Sequence, residues 1–184
     1  MKTRTAIRIA LGVLLVSFAL NMSAGAAHGI SLPLSFTLLL ITVLAGVAFD
    51  IIGTAVAAAT EPPIHAVASK RLRGGAEALR LVRNAPQVAN FCNDIVGDVC
   101  GTLSGALAAA SASGLASAIG ANVTVVLATT VATVAMLTVT LKYISKNYAM
   151  KEAEHVILLA GRVIAFFGGI VPAFLRKRTN GRRR

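Results

Sequence analysis

Residues 34–60 have the sequence LSFTLLLITVLAGVAFDIIGTAVAAAT, an apolar stretch that contains a single charged residue, Asp50. A helix of this length, at about 1.5 Å per residue, exceeds the roughly 30 Å hydrocarbon core of a bilayer. Glu61 follows, and then Pro62 and Pro63, which lack backbone donors and disfavour helical geometry in the residue before them. The stretch therefore predicts a transmembrane helix that carries one acid and ends near residue 60.

The rest of the chain has the composition of a membrane protein. Of its 184 residues, 56% are hydrophobic and 14% are charged, and the mean hydropathy is +0.77, which excludes a conventional water-soluble domain. Three further apolar stretches, at 7–27, 91–119 and 123–143, are long enough to span. We therefore predict an all-α membrane protein with about four transmembrane helices. The first stretch has a second interpretation, a cleavable signal peptide, because basic residues precede its apolar centre and small residues follow it.

Positive charge is abundant but confined to three segments. Lys and Arg total 18 against 7 Asp and Glu, and they lie within 2–8, 70–83 and 142–184. The absence of Trp and the 5% aromatic content do not resemble a nucleic-acid-binding surface, so no nucleic-acid partner is predicted. Because cytoplasmic loops retain Lys and Arg, the pattern predicts a multi-pass protein of the plasma (inner) membrane with both termini in the cytoplasm.

Segment 62–90 alternates basic and apolar residues and is divided by Gly74, Gly75 and Pro86. This pattern predicts amphipathic helices at the cytoplasmic membrane interface. Their basic residues are expected to contact anionic lipid head groups. The predicted contacts are Lys70, Arg71, Arg73, Arg80 and Arg83.

The C-terminal part, residues 149–184, is predicted to be cytoplasmic and distinct from a transmembrane domain at 1–148. Val156, Leu159, Val163 and Phe166 recur at helical spacing, which predicts another amphipathic surface helix. A basic tail follows, with clusters at 176–178 and 182–184.

Cysteine and histidine contribute no recognisable metal site. Cys92 and Cys100 are too far apart along one helix to bridge and are interpreted as free thiols. His28, His65 and His155 lie in different parts of the chain, so a zinc site is not predicted.

All three aspartates of the chain, Asp50, Asp94 and Asp98, fall within apolar stretches. A charged carboxylate near the bilayer centre costs roughly 3 kcal/mol, so such residues generally face a polar interior and have a function there. The alternative is that Asp94 and Asp50 lie at interface depth, where water or head groups solvate them.

Helical spacing groups these acids with other oxygen donors. Residues four apart share a helix face, and the predicted ligands on the two stretches are Asp50, Thr54, Asn93, Asp94, Asp98 and Thr102. Gly97, Gly101 and Gly105 recur at the same interval and predict close helix packing. Carboxylate, amide and hydroxyl oxygens suit a hard cation such as Mg²⁺ or Ca²⁺, with Mg²⁺ keeping part of its water. Breaks near Gly53 and Gly97 are expected to offer backbone carbonyls as well.

Four short segments resemble the transmembrane module of the CorB/CorC and cyclin-M (CNNM) family, which is linked to Mg²⁺ transport. They are FDIIGTAV at 49–56, SKRL at 69–72, LRLVRN at 79–84 and IVGD at 95–98. The resemblance implies a homodimer that binds and transports Mg²⁺ or Co²⁺. It also implies ion ligands at Asp50, Thr54, Asp98 and Thr102.

The chain departs from that family at several positions. Asp50 and Asp98 stand where the family has Ser and Asn, which would make the site more negative, and Pro62-Pro63 has no counterpart. We expect a stand-alone module without the paired nucleotide-binding domains that usually follow in the family.

Two other functions compete with cation transport. An intramembrane aspartyl protease also uses two membrane aspartates, but its Gly-x-Gly-Asp motif is replaced here by Val96-Gly97-Asp98, so no enzyme is predicted. A non-transporting scaffold or holin-like pore protein fits the small size, the several spans and the basic tail, but leaves the three aspartates unexplained.

Overall fold

The computed structural model describes residues 2–25 and 31–166, and every regular element in that part of the chain is helical. The basic tail clusters, His28 and the end of the predicted 7–27 helix lie outside the described residues. The elements are α1 (Lys2–Gly25), α2 (Leu32–Ala58), α3 (Glu61–Ser69), α4 (Gly75–Arg83), α5 (Ala85–Asn90), a π-helical turn (Phe91–Val96), α6 (Gly97–Ile119), α7 (Val123–Lys151) and α8 (Ala153–Phe166).

Three helical segments of the described chain are long and apolar enough to cross a membrane. They are Leu32–Ala58, Ala85–Ile119 and Val123–Lys151, with 27, 35 and 29 residues and mean hydropathies of 2.3, 1.4 and 2.0. The apolar part of α1, Ala10–Met22, is shorter. The described residues are therefore helical, as predicted, and three of the helical segments are candidate membrane spans by length and composition; the predicted fourth crossing stays a prediction.

Proline and glycine set two of the helix boundaries. Helix α2 ends at Ala58, and α3 begins at Glu61 with prolines in its first turn, where a missing N–H costs nothing. Gly74 separates α3 from α4 with a φ of 81°, a left-handed conformation that glycine adopts without penalty. Helix α7 continues past the expected end at 143, because lysines mark a membrane edge without interrupting a helix.

Tertiary contacts divide the chain into two units. The first contains Met1–Phe49 and Asp94–Tyr143, and the second contains Asp50–Asn93 and Ile144–Arg184. The spanning helices each pass from one unit into the other along the chain. The division therefore follows packing, whereas the predicted boundary at residue 148 followed charge.

Small residues bring helices together in the first unit. Helix α1 packs against α6, and α2 approaches α6 so closely that a Cβ on Gly46 would lie 2.9 Å from the Cβ of Cys100. Further along the same helices, the Ser111 hydroxyl lies 3.1 Å from the Ser35 hydroxyl. This packing of small side chains is typical of membrane helices.

A compact apolar core holds the second unit together. Its fully buried members include Val56 of α2, Ile64 of α3, Ala78 of α4 and Ile157 of α8. Helix α4 packs against both α3 and α8, so the apolar face of α4 belongs to this core. Its basic residues Arg80 and Arg83 remain exposed.

Helix α8 exposes most of the predicted apolar stripe. Val156 is buried, whereas Leu159, Val163 and Phe166 are 54%, 50% and 85% exposed. The buried face consists of Val156 and Ile157 together with small residues, Ala153, Ala160 and Gly161. The small residues allow a close approach to α4 and its preceding turn, so the bulky apolar side chains point away from the core.

Candidate functional site

Asp50 is the most deeply buried charged residue of the described chain. It lies on α2, in the second unit, with 1% of its surface exposed. Isolated charges are rarely buried in proteins because desolvation costs several kcal/mol, about 3 kcal/mol or more for a carboxylate at the centre of a membrane. The surroundings of Asp50 must therefore provide stabilisation for a carboxylate.

A neutral oxygen donor lies on the same side of α2 as Asp50. The amide of Asn93 packs directly on Gly53, one helical turn after Asp50, where a Cβ would lie 2.7 Å from the amide carbon of Asn93. The side-chain oxygen of Asn93 is buried and has no hydrogen-bond partner within residues 2–25 and 31–166. Thr54 is half-buried on the same turn of α2. Asp50, Thr54 and Asn93 thus belong to one unit of the structure.

The Asn93 amide reaches α2 because the chain forms a π-helical turn there. The turn spans Phe91–Val96 and carries both Asn93 and Asp94. Such turns are rare, cost stability and frequently occur at functional sites. Helix α2, in contrast, runs through Gly53 without interruption, so the break expected there was wrong. Gly53 provides space for Asn93 instead of exposing backbone carbonyls.

The remaining predicted ligands lie in the first unit, and their side chains are exposed on the surface of the single chain. Asp94, Asp98 and Thr102 follow one another at intervals of four residues and are all exposed. The Thr102 hydroxyl donates to the carbonyl of Val99 at 3.0 Å and keeps its lone pairs for other partners. These residues form an exposed acidic row along the π-helical turn and α6.

The predicted packing glycines of α6 differ in their surroundings. Gly97 is buried, whereas a Cβ on Gly101 or Gly105 would have no neighbour within 4 Å in the described part of the chain. Among the candidate membrane spans, the close approaches involve Gly46, Gly53 and Gly114, which sequence analysis did not select for packing. The seven-residue interval from Gly46 to Gly53 was the available signal, since it places both on one helix face.

Within the described residues, no group of three or more His, Cys, Asp and Glu side chains is close enough to hold a metal ion. A cation at Asp50 would therefore depend on one carboxylate together with amide, hydroxyl and water oxygens. That donor set fits Mg²⁺, which commonly uses one or two carboxylates and retains water. Cys92 and Cys100 form no disulfide with each other, as predicted.

The predicted head-group contacts, Lys70, Arg71, Arg73, Arg80 and Arg83, are all exposed. One of them has a partner within the protein, since the Arg83 guanidinium pairs with the Glu61 carboxylate at 2.7 Å. This ion pair joins the end of α4 to the start of α3. Glu61 is thereby occupied on the surface of the second unit and is unavailable as a ligand near Asp50.

The described residues thus form a helical protein with three candidate membrane spans, a buried acid and a neighbouring amide oxygen. No protein-family model, curated protein or solved structure matches the chain. Its function is therefore argued from its own residues.

Proposed function

We propose that the protein binds a divalent cation, principally Mg²⁺, at Asp50 and carries it across the membrane as a CorB/CorC-like module. The observation that carries the proposal is the complete burial of this carboxylate in an apolar helix. A bound cation would offset the cost of burying the charge.

The donors near Asp50 favour a hard ion. Thr54 and the buried amide oxygen of Asn93 supply neutral oxygens, and water completes the coordination shell of Mg²⁺. The acidic row of Asp94, Asp98 and Thr102 is proposed to take part in cation entry. Because this row is exposed in one chain, a second copy of the protein is the proposed cover, giving a homodimer.

The proposed topology follows the charges. Between the first two candidate spans, the turn that joins α3 to α4 carries Lys70, Arg71 and Arg73, and α4 carries Arg80 and Arg83, so this region would lie at the cytoplasmic interface of the plasma membrane. Helix α1 would provide a fourth crossing, with both termini in the cytoplasm.

Thermal unfolding of the purified full chain in detergent tests cation binding. Millimolar Mg²⁺ should raise the melting temperature, because a ligand that binds only the folded state stabilises it by mass action. Asp50→Asn should abolish this shift, and Asp98→Asn should reduce it. Glu154→Gln, which removes an exposed acid from α8, is the matched control and should leave the shift intact. A melting temperature that does not change with saturating Mg²⁺, Ca²⁺ or Mn²⁺ would exclude the site.

Transport is tested separately in proteoliposomes that contain a Mg²⁺-sensitive dye. The wild-type chain should admit Mg²⁺, and Asp50→Asn should not. A holin-like pore would also pass a small uncharged dye, and it would do so whether or not the aspartates were present. Mg²⁺ flux that survives Asp50→Asn would contradict the proposed role of this residue.

A further inference from the structure

The turn between α3 and α4 meets helix α8 at two glycines of the second unit. A Cβ on Gly74 would lie 2.7 Å from the carbonyl carbon of Gly161 and 2.8 Å from the Cα of Arg162. A Cβ on Gly161 would collide with the Gly74 carbonyl oxygen and lie 2.9 Å from the backbone nitrogen of Ala78. Since the two backbones touch here, Arg73 and Arg162, which adjoin the glycines in the chain, are held on neighbouring segments.

A cleft opens beside this contact. Its volume is about 880 Å³, and the described residues that line it are Leu72, Arg73, Arg162, Ala165 and Phe166. Sites for small organic ligands in proteins have volumes of about 300–1,000 Å³. The cleft therefore combines the size of a ligand site with two guanidinium groups and three apolar side chains.

Within the described residues, no acidic side chain neutralises the positive charge of the cleft. Neither Arg73 nor Arg162 forms an ion pair within residues 2–25 and 31–166. None of residues 167–184 is acidic. Arg83 differs, because Glu61 already neutralises it. The cleft is thus suited to an anion supplied from outside.

The surface around the cleft is apolar and exposed. Leu72 is 55% exposed, and Leu159, Val163 and Phe166 form a stripe along α8 that is at least 50% exposed. Large apolar side chains on the surface of a small unit indicate contact with lipid or a partner. Basic and apolar groups together on one helix are typical of the membrane interface, where both find favourable surroundings.

We propose that this cleft binds one anionic phospholipid. The guanidinium groups of Arg73 and Arg162 would hold its phosphate, since planar guanidinium groups form paired hydrogen bonds to phosphate oxygens. Leu72 and Phe166 would contact its acyl chains. This is a discrete site, distinct from the diffuse attraction of head groups to Lys70, Arg71 and Arg80, and it includes Arg162, which sequence analysis did not assign.

Titration of the full chain in detergent with short-chain phosphatidylglycerol, followed by native mass spectrometry, tests the site. Arg73→Gln with Arg162→Gln should weaken binding by at least about tenfold, because neutral glutamine cannot form the charge-assisted hydrogen bonds that a guanidinium donates to phosphate. The matched control is Arg71→Gln with Arg80→Gln, which removes the same charge outside the cleft. At 0.15 M salt this control should weaken binding much less than the cleft variant, because neither residue is among those that line the cleft and salt partly screens surface charges.

Three further measurements separate the outcomes. Arg162→Lys keeps the charge but loses the planar fork, so it should also weaken binding; full retention would argue against paired phosphate contacts. Short-chain phosphatidylcholine should bind more weakly than phosphatidylglycerol, and millimolar inorganic phosphate should not displace the lipid. Equal losses in the two double variants would overturn the proposal in favour of diffuse electrostatics, and displacement by phosphate would reduce the cleft to a simple anion site.

Discussion

Asp50 and Asn93 can lie on the same side of α2 because a third residue, Gly53, has no side chain. Gly53 lies where any Cβ would overlap the Asn93 amide, so its role is to let the π-helical turn approach α2. Sequence analysis selected both polar residues from their type and spacing. It could not assign this role to Gly53, because the contact joins positions that are distant in the chain.

Gly53→Ala should lower the free energy of unfolding by about 1–3 kcal/mol, the usual cost of inserting a methyl group into packed surroundings. The measurement is chemical unfolding in mixed micelles. Gly12→Ala, where a Cβ has no neighbour within 4 Å, is the control and should be neutral or slightly stabilising. Adding Asn93→Ala to Gly53→Ala should restore most of the loss, since the two side chains would no longer overlap. A Gly53→Ala protein as stable as the wild type would show that this contact is not tight.

At the scale of helices, the sequence predicted which segments are helical, but it did not predict which face of α8 is buried. Hydropathy located the three spanning helices, and Pro62-Pro63 and Gly74 located two boundaries correctly. Helix α8 is apolar on two sides, so its periodicity could not show which side would be buried. Which side is buried depends on Gly74, which is distant from α8 in the sequence. Its backbone lies so close to α8 that there is no room for a side chain at Gly161. A break was expected near Gly97, and the π-helical turn ends at the preceding residue, Val96, but no proline or glycine within Phe91–Val96 indicated its π-helical form.

Gly161→Val should separate α4 from α8. The added side chain meets backbone atoms of Gly74 and Ala78, which cannot rotate away, so we expect a loss of about 2 kcal/mol or more in stability. Limited trypsin digestion should then cut faster at the exposed Lys70, Arg71 and Arg73, because α3 and α4 would lose their packing partner. Gly101→Val, at a position with open space, is the control for the effect of valine in a helix. An unchanged digestion rate in Gly161→Val would contradict the proposed close contact.

At the scale of the whole molecule, the first unit leaves much of its helical surface uncovered. Within the described residues, every side chain of α7 in its most apolar window is at least partly exposed, and Gly101 and Gly105 of α6 face open space. Lipid can cover the apolar surface of α7 without further protein. The exposed acidic row of Asp98 and its neighbours is different, because hydrocarbon solvates carboxylates poorly. Because of this contrast, we propose that a second copy of the protein packs against α6. The hydropathy and charge pattern of one sequence cannot specify such a contact.

Gly105→Leu distinguishes packing within one chain from packing between two. Because a Cβ on Gly105 meets no neighbouring atom within 4 Å in the described part of the chain, leucine should leave the folding of the monomer intact, with an unchanged or slightly raised melting temperature. In a dimer with close helix contact at α6, the same leucine would hold the helices apart and shift the population toward monomer. Single-molecule photobleaching in lipid vesicles measures that population. Val139→Leu, on the exposed surface of α7, is the control and should leave the dimer fraction unchanged. If Gly105→Leu dimerises like the wild type, α6 does not form the contact, and the acidic row must be covered in another way.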